Sequence, residues 1–424
     1  MVADSGGVDL TAFIGRGDAV MWGQAAAEPV ALTGALMQQR HLIGELEVFI
    51  GATWSDAADP AFADCVRFRS YCGTAANRRL AKAGCLDVLP CNYSQLGAMI
   101  RGGQIRVDVL MLQLAPADGE GRYSLSMAHE YLIPAIDSAR VVLAEVNEQA
   151  PWTYGPRTLG AQDIDLIVHT SRPPLAPPMV LPSDTERAVA ARAAALIEDG
   201  ATLQFGIGTL PEAILSQLSD RRDLGVHTGA LLDSAARLAQ AGVITNARKS
   251  IDRGVTVAGV AMGGRPLSEY IHRNAGVQFH PVDYTHSVQT LARIDRLAAI
   301  NSAVEVDLTG QINAEVAGGV YVGAVGGAGD FLRGAQRSAG GLAIVALPSI
   351  SGGPDLAGQD PRISRIVASL NGPVSTARCD AGFIVTEHGV ADLRGLTVSQ
   401  LIPRMLAVAD PRFRESLERA VHRR

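Results

Sequence analysis

Apolar residues along this chain fall into short runs separated by longer stretches with helical spacing. In the first half, Val107-Asp-Val-Leu-Met-Leu-Gln-Leu114, Val141-Val-Leu-Ala-Glu-Val146 and Ile164-Asp-Leu-Ile-Val168 read as strands. In the second half, Leu203-Gln-Phe-Gly-Ile207, Val255-Thr-Val-Ala-Gly-Val260, Gly341-Leu-Ala-Ile-Val-Ala-Leu347 and Gly382-Phe-Ile-Val-Thr386 do the same. Runs this apolar are strands buried on both faces, and their alternation with helices predicts parallel sheets covered by helices. Between the halves, Thr170-Ser-Arg-Pro-Pro-Leu-Ala-Pro-Pro-Met-Val-Leu-Pro182 holds five prolines in thirteen residues. Proline on that scale excludes helix interior and central strand, so this is an extended linker. It runs into Ser183-Asp-Thr-Glu186, a capping-box signature, and an Ala-rich helix is expected over Arg187 to Ile197. The expected class is α/β: two open α/β domains with mostly parallel sheets, spanning 1–182 (linker 170–182) and 183–424.

Composition narrows this picture. At 424 residues the chain is long enough for two large cores, and 47% hydrophobic with 19% charged residues suits buried strands. The 45 glycines show no collagen period and imply many tight turns. A net charge of −6 argues against general nucleic-acid binding, which needs a basic face. Five cysteines without a C-x-x-C pair read as free thiols in a reducing compartment. Met1-Val-Ala-Asp-Ser-Gly-Gly7 has no basic-then-apolar leader pattern, and no apolar run reaches 18 residues. The expectation is a cytoplasmic protein with no membrane partner.

Several segments carry candidate chemistry. Gly206-Ile-Gly-Thr-Leu-Pro-Glu212 follows a strand and opens a helix, so Gly206 and Gly208 form either a tight turn or an anion-facing ligand turn. Gly323-Ala-Val-Gly-Gly-Ala-Gly-Asp-Phe-Leu-Arg-Gly334 is a small-residue run that lets a narrow ligand lie against bare backbone, with Gly326 and Gly327 amides placed to bind a developing oxyanion. Leu224-Gly-Val-His-Thr-Gly-Ala-Leu-Leu-Asp233 and His280-Pro-Val-Asp-Tyr-Thr-His-Ser-Val288 contain His227 and His286, two imidazoles suited to proton transfer near neutrality. No third ligand stands at a familiar metal spacing, so no metal is expected. Val385-Thr-Glu-His-Gly-Val-Ala-Asp-Leu-Arg-Gly395 places Glu387 either as a nucleophile or as a structural partner of Arg394. In Gly23-Gln-Ala-Ala-Ala-Glu-Pro29, Glu28 either faces an acyl site across the domain cleft or is a buried structural carboxylate.

These segments, with Asn301-Ser-Ala-Val-Glu-Val-Asp-Leu-Thr-Gly-Gln311 and Asp410-Pro-Arg-Phe-Arg-Glu-Ser-Leu417, resemble the acetyl-CoA hydrolase/transferase family, which includes 4-hydroxybutyrate CoA-transferases. The resemblance spans nearly the whole chain and is strongest from about 200 to 417. It implies a duplicated CoA-transferase fold, an acyl-CoA substrate and a homodimer or higher homo-oligomer. It also implies that Gly206, Gly208, Gly326 and Gly327 line the CoA thioester. Arg333 and Arg337 are then placed to reach an anion, and Arg365 is a further candidate for CoA phosphates. The alternative is a flexible glycine loop with an exposed Arg. In the family, the stretch matching Leu224–Asp233 carries a Glu nucleophile that becomes a glutamyl-CoA thioester, and here that position is Gly229. The segment matching His280–Val288 carries an Asn that helps hold the thioester oxygen, and here it is His286. Asp233 is expected to cap a helix, and Gln24 replaces a family His.

Glycine supplies no carboxylate, so the covalent chemistry of the family cannot run through residue 229. The expected function is an acyl-CoA-processing enzyme, hydrolysing or otherwise transforming the thioester with His286 as general base and no glutamyl-CoA step. Loss of the Glu side chain is expected to leave a void for a water or a bulkier acyl group. His227 is either a core-edge histidine or a partner to His286. The alternatives are a CoA-transferase using another carboxylate, Glu28 or Glu387, and an inactive CoA-binding homologue.

Overall fold

The computed structural model describes residues 2–4, 7–178, 180–352 and 362–421, so Met179 of the expected linker lies outside it. The first sheet holds β1 (Val2–Asp4), β2 (Ala19–Trp22), β3 (Leu46–Ile50), β4 (Val66–Ser70), β5 (Leu86–Val88), β6 (Val109–Leu114), β7 (Val141–Asn147) and β8 (Leu166–Thr170). Their order is β1-β8-β7-β6-β2-β3-β4-β5, and every pair is parallel. The second sheet holds β9 (Thr202–Phe205), β10 (Gly225–Val226), β11 (Leu297–Asn301), β12 (Leu342–Ala346), β13 (Phe383–Thr386) and β14 (Gly389–Asp392) in the order β10-β9-β11-β12-β13-β14. Only the β13–β14 pair is antiparallel, because a tight Glu387-His388 connection joins them directly. The central strands β2, β6 and β7 are buried along their whole length, as their mostly apolar runs require, with Gln113, Glu145 and Asn147 buried among them.

Strand order reverses once in each sheet, between β2 and β6 in the first and between β9 and β11 in the second. A reversal splays the connections that leave the carboxyl ends of the neighbouring strands, and ligands of open α/β sheets bind in that crevice. Gln24 lies just past β2, and the Gly206 turn just past β9.

Two expectations shift. Val255–Val260 is not one strand of the main sheet. Gly259 divides it into Thr256–Ala258, paired with Val277–Phe279, and Val260–Ala261, paired with Ala230–Leu231. The break lets the amides of Gly259 and Val260 both donate to the Gly229 carbonyl, at 2.9 and 3.0 Å. The capping box at Ser183 forms, with the Glu186 amide on Ser183 Oγ and the Ser183 amide on Glu186 Oε2. The helix therefore starts directly after the cap, at Asp184–Ala194, three residues earlier than expected. Among the described residues no helix is long and apolar enough to cross a membrane.

Candidate active site

Gly229 follows β10, and His286 ends the short helix α1 (Val282–Thr285), which begins after Pro281. Gly327 caps α2 (Ala328–Arg337). These three expected residues meet. A Cβ placed on Gly229 would lie 2.8 Å from both Cε1 and Nε2 of His286, and one on Gly327 would lie 2.6 Å from Nε2. The imidazole thus fills the space into which a side chain at 229 would project, and the expected void is absent. Tyr93 and Phe331 wall the ring from two sides, each with its centroid 4.7 Å away. Both aromatic packing and two bare glycines are needed to seat an imidazole here.

The site is dry. His286 is 4% exposed, and burial pushes its imidazole down to about 3, so it is neutral at any ordinary pH and a weaker base than the near-neutral imidazole expected from the sequence. Its Nδ1 lies 2.8 Å from the Thr285 hydroxyl. His227 is fully buried and likewise pushed down to about 3, by burial and by the nearby Lys249 charge. It reaches His286 only indirectly, with Nε2 3.2 Å from the Thr285 carbonyl. The amides of Gly327 and Ala328 have no acceptor among the described residues, as befits the start of a helix, whereas Gly326 is held in a parallel bridge to Asn92, so the expected Gly326 amide is engaged. The site thus sets an imidazole beside the anion-stabilising N-terminus of α2.

The other wall comes from the first domain. The Tyr93 amide donates to the Gly326 carbonyl at 2.9 Å, fixing the ring that faces His286. The Tyr93 hydroxyl donates to Glu130 Oε2 at 2.6 Å, and Gln24 Nε2 donates to Glu130 Oε1 at 2.6 Å and to the Tyr93 hydroxyl at 2.8 Å. Gln24 Oε1 accepts from the Tyr71 hydroxyl at 2.7 Å. Burial raises Glu130 to about 7 despite these two donors. Gln24 stood out in the sequence as a departure from the family, but Tyr71, Tyr93, Glu130, Thr285 and Phe331 did not. The one available signal was Glu130, a carboxylate inside the apolar stretch Leu125-Ser-Met-Ala-His-Glu-Tyr-Leu132.

The remaining expected residues lie elsewhere or are otherwise engaged. Glu28 is fully buried and accepts from the Trp54 and Ser55 amides and the Ser55 hydroxyl, and burial lifts it to about 7. Gly206 and Gly208 form the turn after β9, tied to the site by the Thr228 hydroxyl on the Phe205 carbonyl, and Gly208 has φ 110. Arg333 is paired with Asp380 at 2.6 Å. Arg365 is mostly buried and donates to the carbonyls of Val304 and Ala303. Asp233 caps a neighbouring helix, Arg265–Ile271, accepting from the Gly264 and Leu267 amides, rather than its own. Glu387 accepts from the Ser349 amide and hydroxyl, while Arg394 pairs with Asp392, so the expected Glu387–Arg394 pair does not form. Among the described residues, one grouping has metal-ligand atoms together: His41, Asp64 and Cys65, at the surface of the first domain, with Asp64 held by Arg40.

Residues 8–176 match the acetyl-CoA hydrolase/transferase N-terminal domain family, and residues 263–421 its C-terminal domain family. The chain is similar to the 4-hydroxybutyrate coenzyme A transferase of Clostridium kluyveri, with 34% identity over 94% of this chain and 92% of that protein. It is similar to the butyryl-CoA:acetate CoA-transferase of Anaerostipes caccae, with 35% identity over 95% and 92%. Among solved structures, RipA from Yersinia pestis superposes with a TM-score of 0.92 at 32% identity, covering 100% of this chain and 97% of RipA.

Proposed function

The chain belongs to the acetyl-CoA hydrolase/transferase family, and from that premise we propose that it transforms an acyl-CoA by chemistry centred on His286, without a glutamyl-CoA intermediate. The observation that carries this reading is the position of the imidazole. It occupies the space in front of Gly229, where the family's carboxylate would stand, and lies beside Gly327 at the start of α2. Nε2 takes a proton from a water attacking the thioester, or from an acidic carbon beside it, and the Gly327 amide stabilises the charge that develops on the thioester oxygen. Gly206 and Gly208 line the thioester from the second switch point. CoA enters as the acyl-CoA substrate, and no step calls for a metal.

Incubation with a panel of acyl-CoAs, with and without acetate, tests the reaction class. Free CoA released without an acceptor supports hydrolysis. Exchange that requires acetate supports the second reading, CoA transfer between carboxylic acids, which the names of the similar proteins favour. Neither outcome, with binding retained in calorimetry, leaves a CoA-binding protein only. His286→Ala should lower kcat by about 10²–10⁴-fold, the usual share of a general base, with KM within a few fold. A variant that keeps more than about a third of wild-type turnover removes His286 from the chemistry.

A further inference from the structure

We infer that Thr285 is a positioning residue that fixes the His286 imidazole in its Nδ1–H tautomer, turning an unprotonated Nε2 toward the first amides of α2. This rests on the reading that His286 accepts a proton. Three observations lead to it. First, Thr285 Oγ1 lies 2.8 Å from His286 Nδ1 and 3.4 Å from the Pro281 carbonyl, one helical turn back. A hydroxyl has one proton and spare lone pairs, so it can donate to Pro281 and accept from Nδ1–H at once. In the opposite arrangement the hydroxyl donates to Nδ1, and the ring proton moves to Nε2.

Second, the surroundings of Nε2 favour a lone pair there. A Cβ on Gly327, at the α2 N-terminus, would lie 2.6 Å from Nε2, and the amides of Gly327 and Ala328 there have no acceptor among the described residues. An N–H at Nε2 would face other donors and the positive end of a helix, with no acceptor. Third, Thr285 is itself held from behind. Its carbonyl takes the His227 Nε2 proton at 3.2 Å, and its side chain is fully buried. His227, Thr285 and His286 therefore form a chain in which each group orients the next, the arrangement that prepares an imidazole as a base. The sequence of this chain sets that arrangement up only because residue 286 is a histidine.

The test combines ¹⁵N-histidine spectroscopy on the full chain with steady-state kinetics. In the wild type, the His286 resonances, assigned by their absence from His286→Ala, should show a protonated Nδ1 and a bare Nε2. Thr285→Val keeps the shape and removes the hydroxyl. It should mix or reverse the tautomers and lower kcat about 10–100-fold, the range for losing a group that orients a functional imidazole, with KM within a few fold. Thr285→Ser should restore both readouts. A wild-type spectrum with Nε2 protonated overturns the inference, and so does a Thr285→Val enzyme with wild-type tautomer and kcat. The two readings fail separately: full activity in His286→Ala ends the functional proposal, whereas an Nε2–H spectrum with an inactive His286→Ala ends only the role of Thr285.

Discussion

Position 229 shows how much one residue decides. Glycine is required there not by its backbone but by its neighbour, since a Cβ would come within 2.8 Å of two atoms of a ring that Tyr93 and Phe331 hold in place. Gly229 and His286 are thus a matched pair. Gly229→Ala should cost about 1–3 kcal/mol of stability, the range for overpacking a filled site. In a His286→Ala background the same change meets open space and should cost much less. The two substitutions should therefore be non-additive by more than about 0.5 kcal/mol in a double-mutant cycle followed by urea unfolding. Additive costs would mean the ring is free to move aside. The sequence made both substitutions visible, because each departs from a recognisable motif. It could not show that one fills the room left by the other, since contact between residues 57 positions apart follows from packing and not from spacing.

At the scale of elements, the wall opposite His286 is built from connections that leave the carboxyl ends of first-domain strands. Gln24 follows β2, Tyr71 follows β4, and Tyr93 and Glu130 lie on longer excursions. Their hydrogen-bonded ring places a carboxyl group in a dry site, which lifts Glu130 from 4.5 to about 7. The sign follows from linkage. In the unfolded chain Glu130 loses its proton near 4.5, while in the folded chain it keeps the proton until about 7. Stability from this group is full below pH 4.5, falls as pH rises through that window, and is flat above it. Glu130→Gln removes the titration, so the drop in urea-unfolding free energy between pH 5 and pH 7.5 should shrink. Part of the slope should persist, because Glu28 is raised to the same value by burial. An unchanged slope in Glu130→Gln would place the titration elsewhere. Strand runs such as Val141–Val146 were legible because full burial leaves an almost continuous apolar pattern, broken there only by Glu145. The ring was not, because its four residues come from four connections with no common period.

For the whole molecule, the two mostly parallel sheets were legible as α/β alternation, but their strand order, with its switch points, and the way the halves close on one another were not. Closure depends on individual hydrogen bonds between loops, such as Gly73 N to the Gly323 carbonyl at 2.8 Å and His129 N to the Gly259 carbonyl at 3.0 Å. The most demanding of these contacts is a buried carboxylate. Asp330, in the first turn of α2, accepts from the Ser94 hydroxyl at 2.8 Å and the Ser94 amide at 3.1 Å. Burial nonetheless raises it from 3.8 to about 6. Ser94→Ala removes one of two donors and leaves a buried charge partly uncompensated, so it should destabilise the chain by about 1–3 kcal/mol at pH 7.5. The loss should shrink toward pH 5, where Asp330 is mostly protonated and its need for the hydroxyl is smaller. Because Ser94 directly follows Tyr93, and Asp330 directly precedes Phe331, the same substitution loosens both walls of the His286 site. Turnover of the acyl-CoA should fall together with stability, and Ser94→Thr, which keeps the hydroxyl, should recover both. A Ser94→Ala chain as stable at pH 7.5 as the wild type would show that the Ser94–Asp330 hydrogen bond plays no part in holding the halves together or closing the site.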